Sequence, residues 1–532
     1  MRLHKVMVGA YKSLRNVTVE FTAEQKSSTA PSAQFFIGVN GSGKSSMLEA
    51  IGLIFTRIMQ GETPGFDFEV VYQMPDETEV TVRPIQPGST TQGGNEKLDV
   101  HIRKKGKAQP LLVHTIPDDY RPDRIVAYSS GANNAMEDVL MRYPKSAIAN
   151  ELYDRVFDSS KDETDGAYIR ELVAQYDQLD ENPRTLYLDA PTSKFIIPFL
   201  FAVLPMNLLA ADESSARERE RYHRLQRMLL DRLGFSLKPV AFSLVIDAEK
   251  MSEIASAQQE ILALILDKRS DQQTVYDWIS DAPFFGDRPE GEQNAAQETS
   301  VAFLYEQTSN ASPLYYHKKL QNFCKGDPFP LLSALVNLHQ RGIVKDIHMS
   351  FQREGCGELL QLDALSDGEL MWLARMGLIL MSQKHCGSNS LFLLDEPDVH
   401  FNDDWNKEFV HMLYEMSGET PHQFIIATHS PLLLTDVWPE QLYLFRKNPE
   451  TGTSTVDIPT ISTFAAQRER IATELFDTDP IGVFAQLNIK KLLHETDADK
   501  LLDGIGRVGP GYPRFRLYEQ YYGMTAEASN EE

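Results

Sequence analysis

The chain has 532 residues, of which 42% are hydrophobic and 24% charged, and a formal net charge of −24. That length and balance fit a globular protein of more than one compact unit. The strong acidity argues against a protein that coats nucleic acid over its whole surface, while leaving room for one local basic groove. Three cysteines, Cys324, Cys356 and Cys386, are scattered with no C-x-x-C pair, so neither a disulfide framework nor a zinc site is expected and a reducing cytoplasm is. The start Met1–Val6 lacks a long apolar h-region, and no run approaches the roughly 18 apolar residues of a spanning helix. The reading is therefore no signal peptide and no membrane.

Residues 1–21 alternate apolar and polar, as in Val17-Thr18-Val19-Glu20-Phe21, and predict two strands joined through Gly9–Asn16. Residues 22–33 read as a loop. The run Phe35-Phe36-Ile37 then ends in Gly38-Val39-Asn40-Gly41-Ser42-Gly43-Lys44-Ser45-Ser46, which fits G-x-x-x-x-G-K-[ST] from Gly38 to Ser45. Gly41 and Gly43 let the backbone turn its N–H groups toward phosphate oxygens. Lys44 suits the β- and γ-phosphates, and the Ser45 hydroxyl suits Mg²⁺. A helix starting at Ser46 and running to about Gln60 adds a favourable N-terminal dipole.

Short β-like runs follow at Glu69–Tyr72, Glu79–Val82 and Leu98–Ile102, separated by turn-rich stretches, and an antiparallel β-subdomain fits them. Arg124–Tyr128 predicts another strand, ending in the loop Ser129–Asn133. From about 140 to 350 helical periodicity dominates, with segments at 149–157, 166–178, 193–210, 213–234, 250–267 and 329–341. One of these carries Arg217, Arg219, Arg221, Arg224, Arg227 and Arg232. It reads first as a solvated face paired with Glu213, Glu218, Glu220 and Asp231, and second as a basic ridge for nucleic acid or an acidic partner.

Beyond 350 the α/β texture returns. Leu365-Ser366-Asp367-Gly368-Glu369 precedes the helix beginning Met371-Trp372-Leu373, with Ser366 as N-cap and Glu369 closing a capping box. Leu391–Leu394 is a continuous apolar run that reads as a buried parallel strand, ending in Asp395-Glu396. Asp395 is suited to the Mg²⁺ shell and Glu396 to orienting and polarising the attacking water. Gln423–Thr428 is a second buried strand, placed to be a βαβ neighbour of the first, and it delivers His429 near a γ-phosphate.

These four pieces in this order resemble the ATP-binding-cassette ATPases, specifically the soluble branch of recombination and chromosome-maintenance (RecF/SMC-like) ATPases. The opening Gly9-Ala10-Tyr11-Lys12-Ser13-Leu14 resembles that branch's N-terminal strand motif. The resemblance implies an α/β ABC-type P-loop head with an antiparallel β-subdomain and a large helical insertion. It implies a Walker A at Gly38–Ser45, so that Gly38, Asn40, Gly41, Ser42, Gly43, Lys44, Ser45 and Ser46 hold ATP. It implies Mg²⁺ at Ser45 and Asp395, catalysis by Glu396 with His429 as switch histidine, and a signature motif whose Ser366 and Gly368 meet the nucleotide of a second copy. A homodimer or higher homo-oligomer follows. The signature departs from the transporter form Leu-Ser-Gly-Gly-Gln, and no Q-loop glutamine is evident.

The Tyr128–Gly131 loop, the insertion, the Leu-Ser-Asp-Gly-Glu form and Ile471–Phe476 also resemble the ATPase subunit of Septu antiphage systems (PtuA-type), found beside some retron reverse transcriptases. That resemblance implies an HNH nuclease subunit (PtuB-like) as partner, with a retron reverse transcriptase and its msDNA as further candidates. It makes the chain the sensor or regulatory half of an abortive-infection complex. The alternatives are a RecF/SMC-type DNA-repair ATPase with no nuclease partner, and the ATPase of an OLD-type nuclease. The second is disfavoured because only about 100 residues follow His429, with no acidic pattern fitting a Toprim fold. The expected organisation is an N-terminal lobe at 1–139, the insertion at 140–350, a C-terminal lobe at 351–460, and a partner-docking segment at 461–532.

Overall fold

Apolar alternation in the first residues builds a long hairpin, in which β1 (Arg2–Tyr11) and β2 (Leu14–Glu20) pair with Val6 opposite Val19 and Val8 opposite Val17. The strands reach further than expected. The turn is only Lys12-Ser13, with Lys12 in left-handed backbone at φ 48°. In this computed structural model the described residues are 1–21, 31–85, 98–107, 109–131, 135–142, 184–202, 213–233, 237–247, 275–277, 282–284, 298–304, 329–340, 342–353, 358–382, 389–418, 420–479 and 481–530.

The hairpin opens one half of a 13-stranded sheet. On its β1 side lie β4 (Phe68–Gln73), β5 (Glu79–Pro84), β6 (Leu98–Arg103) and β7 (Leu111–Val113), each antiparallel to its neighbour. This is the expected antiparallel β-subdomain, but it is continuous with the main sheet. The other half is parallel. β3 (Ser32–Ile37) pairs with β17 (Gln423–Thr428) and β18 (Leu442–Lys447). β17 pairs with β16 (Ser390–Asp395), which pairs with β8 (Arg124–Ser129), and β9 (Thr185–Leu188) closes the edge. β19 (Ser454–Asp457) joins the halves, lying antiparallel to β18 and meeting β2 at Ser454–Leu14.

The central strands are buried on both faces, which is why they read as unbroken apolar runs. One face packs on α1 (Lys44–Met59): Phe36, Leu391, Leu393, Ile425 and Ala427 share a core with Met47, Leu48, Ile51, Ile54 and Phe55. α2 (Ile196–Ala202) and α3 (Glu213–Asp231) pack against α5 (Asp367–Met381), which packs against α6 (Asp403–Ser417). α6 is the crossover between β16 and β17, as the βαβ reading expected.

The 140–350 stretch is not uniformly helical. Besides α2, α3 and α4 (Phe329–Gln340), it supplies β9 to the main sheet and most of a second, four-stranded sheet. That sheet has β10 (Leu237–Asp247) between β13 (Glu298–Leu304) and β14 (Val344–Arg353), with β15 (Leu359–Gln361) at its edge. A two-stranded ribbon, β11 (Val275–Asp277) with β12 (Ala282–Phe284), is also present. Apolar runs such as Val240–Ile246 do not declare helix or strand by periodicity alone. The helices expected at 149–157, 166–178 and 250–267 lie outside the described residues.

Residues Ala466–Glu532 form a second compact unit of four helices, α7 (Arg468–Phe476), α8 (Val483–Leu492), α9 (Ala498–Arg507) and α10 (Tyr512–Asn530). Leu501, Ile505 and Leu517 make its small core, and Val483, Phe484 and Tyr512 stand exposed. Among the described residues no helix is long and apolar enough to cross a membrane.

Candidate active site

The parallel strands end along one edge, and that edge gathers the chemistry. β3 stops at Ile37 and the chain turns out through Gly38, at φ 141°. A Cβ on Gly38 would lie 2.2 Å from the Phe445 carbonyl oxygen, so glycine is required by close approach as well as by φ. Asn40 and Gly41 stand exposed at the crest of the loop, Ser42, Gly43 and Lys44 are buried, and Ser45 and Ser46 are half-buried. Gly43, at φ 107°, is the N-cap of α1, and no side chain caps that end. The Lys44 ammonium donates to the carbonyls of Gly38 (2.8 Å) and Val39 (3.2 Å). Burial lowers its pKa, and the nearby Glu396, Asp395 and Asp398 pull it back up. Ser42 Oγ is buried without a hydrogen-bond partner.

Across the loop, Ser45 Oγ donates to Asp395 Oδ1 at 2.9 Å, joining residues 350 apart in sequence. Burial pushes the Asp395 carboxyl up to about 6, opposed by the Ser45 hydrogen bond. A divalent cation at that oxygen would favour the ionised form. Glu396 follows in left-handed backbone at φ 49°, its N–H held by the Ala427 carbonyl at 2.8 Å. The register that sets Asp395 beside Ala427 brings His429 to Glu396, with Nδ1 3.0 Å from Oε1. This hydrogen bond lowers the Glu396 pKa and raises that of His429.

The donor set fits a nucleoside triphosphate with Mg²⁺. An uncapped helix N-terminus, an orphaned buried hydroxyl on Ser42 and a buried ammonium converge on one loop. A hydroxyl and a carboxylate in contact, Ser45 and Asp395, are the oxygen ligands Mg²⁺ takes.

Ser366 and Gly368 are not part of that cluster. Ser366 caps α5: its Oγ accepts from the Glu369 N–H (3.4 Å), while Glu369 Oε2 accepts from the Ser366 N–H at 2.7 Å and from its hydroxyl at 2.8 Å. Both residues line a groove of about 1010 Å³ with Arg232, His400, Trp405 and Lys407, to which no phosphate-loop residue contributes. A Cβ on Gly368 would sit 2.8 Å from the His400 carbonyl oxygen. Of the arginines on α3, Arg217, Arg221, Arg224 and Arg227 are exposed. Arg232, just beyond the helix, pairs across to Glu408 on α6 at 3.0 Å. The Ser129–Asn133 loop is described as far as Gly131, where the Ser130 N–H donates to the Asp395 carbonyl at 3.2 Å.

Two supports escape sequence reasoning. Ser454 lies under Gly43 and hydrogen-bonds Ser13 (2.9 Å), a contact across the whole chain that no local pattern announces. Arg375 is buried between α5 and the residues after Glu396. A lone charge inside an apolar helix is the signal that could have found it.

Residues 35–435 match a protein-family model described as "AAA domain, putative AbiEii toxin, Type IV TA system". Among solved structures, the chain is similar to the SMC head domain from Thermotoga maritima, at 13% identity and TM-score 0.32, covering 87% of this chain and 100% of that one. It is similar to an SMC head bound to the C-terminal winged-helix domain of ScpA, at 13% identity and TM-score 0.33, covering 86% and 97%. A third similarity is to an Smc head with an extended coiled coil bound to the C-terminal domain of ScpA, derived from Pyrococcus furiosus, at 14% identity and TM-score 0.30, covering 86% and 96%.

Proposed function

The chain belongs to this AAA-domain family, and from that premise we propose that it binds and hydrolyses ATP with Mg²⁺ as the regulatory subunit of a bacterial antiviral defence complex, governing an associated HNH nuclease. One observation carries the ATPase reading: Ser45–Asp395 and Glu396–His429 stand side by side at the strand ends flanking the glycine loop. ATP brings the phosphoanhydride bond, and Ser45 and Asp395 would hold a Mg²⁺ that would offset its charge. Lys44 and the N–H groups of α1 hold the phosphates. Glu396 orients a water molecule and accepts its proton, and His429 keeps that carboxylate ionised and aimed.

Ser366 and Gly368 lie in a groove of their own, so a second copy is what would bring them to a nucleotide, as a homodimer or higher homo-oligomer. The Leu-Ser-Asp-Gly-Glu form, the Tyr128–Gly131 loop and Ile471–Phe476 support the Septu-type reading in the cytoplasm, and the family description names a toxin of a toxin–antitoxin system. In this reading the nuclease docks on residues 461–532, whose apolar side chains Val483 and Phe484 are exposed, and a retron reverse transcriptase with its msDNA is a further partner. The test is co-expression of the tagged chain with an HNH nuclease subunit, followed by pull-down with and without ATP. Co-elution that responds to ATP, and loses that response in Lys44→Ala, is expected. A bare homo-oligomer with DNA-stimulated hydrolysis would overturn nuclease control in favour of a repair ATPase.

A further inference from the structure

Helix α5 is apolar after its first turn except for one residue, Arg375. It is 5% exposed, and the buried Asp398 carboxylate on the turn after Glu396 attracts it electrostatically. A buried guanidinium needs hydrogen-bond partners to offset its lost hydration. Here Nη1 donates to the carbonyls of Pro397 and of Val399, the latter at 2.9 Å, and Nη2 donates to the Tyr128 hydroxyl, while Nε is buried without a partner. The guanidinium also lies 4.4 Å from the Tyr128 ring centroid and 5.0 Å from that of Phe401. Tyr128 sits on β8, in register with Leu394 just before the site carboxylates.

Both carbonyls belong to the turn that follows Glu396. That turn follows one non-glycine residue in left-handed backbone, Glu396 at φ 49°, and contains another, His400 at φ 76°. Such backbone is held only where the surroundings enforce it. The Val399 and Phe401 N–H groups bond within the turn, to the carbonyls of Glu396 and Asp398. Two outward carbonyls tie it to α5 and one side chain takes both, while the Asp398 carboxylate bonds Thr428 and the Phe401 ring packs on Trp372 and Trp405.

The geometry points to Arg375 as a positioning residue, one that pins the turn Pro397–Phe401 to α5 and so sets where the Glu396 carboxylate stands. The helix that presents Ser366 at its start thereby fixes the placement of the hydrolytic carboxylate. A lysine cannot take this role, because one ammonium cannot span two carbonyls and a phenol while stacking on two rings. The inference rests on the ATPase reading, and its test separates the two.

The experiment is steady-state ATP hydrolysis by the full chain in wild type, Glu396→Gln, Arg375→Lys and Tyr128→Phe, with thermal unfolding of each. In Arg375→Lys kcat is expected to fall about 10- to 100-fold, as for a catalytic group displaced by about 1 Å. KM for ATP should change less than about twofold, since the phosphate loop is untouched. Tyr128→Phe, which removes one partner and leaves the ring, should show a smaller fall of the same kind, and it decides the matter if Arg375→Lys does not fold. Wild-type kcat in both variants, or a loss matched by KM and by the folded fraction, would overturn the inference while Glu396→Gln stays inactive. A wild type without ATP hydrolysis, or an active Glu396→Gln, would instead end the parent reading and this inference with it.

Discussion

Replacing Glu396 by glutamine keeps its size and its place on the left-handed residue and removes only the charge. The structure separates what this does to folding from what it does to the reaction. Glu396 and His429 are 3.0 Å apart with side chains 30% and 46% exposed, so their pairing contributes about 0.2–1 kcal/mol. If Glu396 is the general base, kcat falls by about 10²–10⁴. That is roughly 3–5 kcal/mol of transition-state stabilisation. The two effects differ several-fold and are read on the same protein, by phosphate release at saturating ATP and by urea unfolding. The variant should hold bound ATP and a nucleotide-dependent oligomer. The pKa shifts give a third reading. His429 is raised by Glu396, so its share of the pair is complete below the ordinary histidine value and lost as pH rises through the higher folded one. Glu396 is lowered, so its share is present above the ordinary carboxylate value and lost as pH falls through the lower folded one. In Glu396→Gln the His429 titration, followed by NMR, should move back down. A variant that hydrolyses ATP like wild type would refute the assignment, whatever its stability.

Gly43→Ala combines left-handed strain of about 1–2 kcal/mol with overpacking of about 1–3 kcal/mol. The new Cβ would stand 2.4 Å from Ser454 Oγ at φ 107°. Adding Ser454→Gly should recover the overpacking share but not the strain, and fully additive losses in urea unfolding would show that the two residues do not meet. His422 is buried, its Nδ1 accepting from the Ser390 N–H at 3.3 Å while Nε2 donates to the Ser382 carbonyl, and burial pushes its pKa down to about 3. Its contribution is complete above the ordinary histidine value of about 6.5 and is lost as pH falls, by about 3 kcal/mol between pH 6.5 and 4. His422→Asn should remove that slope from the stability–pH curve, and parallel curves for the two proteins would exclude His422 as its source.

The parts legible in the sequence share one physical property: their signal is local. Phe35–Ile37, Leu391–Leu394 and Gln423–Thr428 are buried on both faces, so each appears as an unbroken apolar run. The glycines of the loop are dictated by backbone angles within a few residues. The capping box of Ser366 and Glu369 closes over three positions. What was not legible depends on distant partners. The antiparallel wing joins the parallel block through Ser454 and Leu14, and nothing near either residue says so. β10 finds partners on both sides, β13 and β14, from far along the chain, so its apolar run could not be told from a helix. Arg375 shows itself as an anomaly in an apolar helix, but its ligands are backbone carbonyls, which carry no sequence signature.

The pairing of β3 bears on how the protein is made. Both neighbours of this strand, β17 and β18, lie in the last quarter of the chain. As the ribosome proceeds from Ile37 to the end of β17, roughly 400 residues must emerge, which at about 5–20 residues per second takes on the order of 20–80 s. Throughout that interval Ala33-Gln34-Phe35-Phe36-Ile37 is an apolar segment with neither ladder partner yet synthesised. Such an edge is prone to pair with other chains. Its phosphate loop is unfinished for as long, because Phe445 and Ser454 pack against Gly38 and Gly43. A nascent or truncated chain therefore carries the glycine motif without the means to shape it until Phe445 and Ser454 have been made.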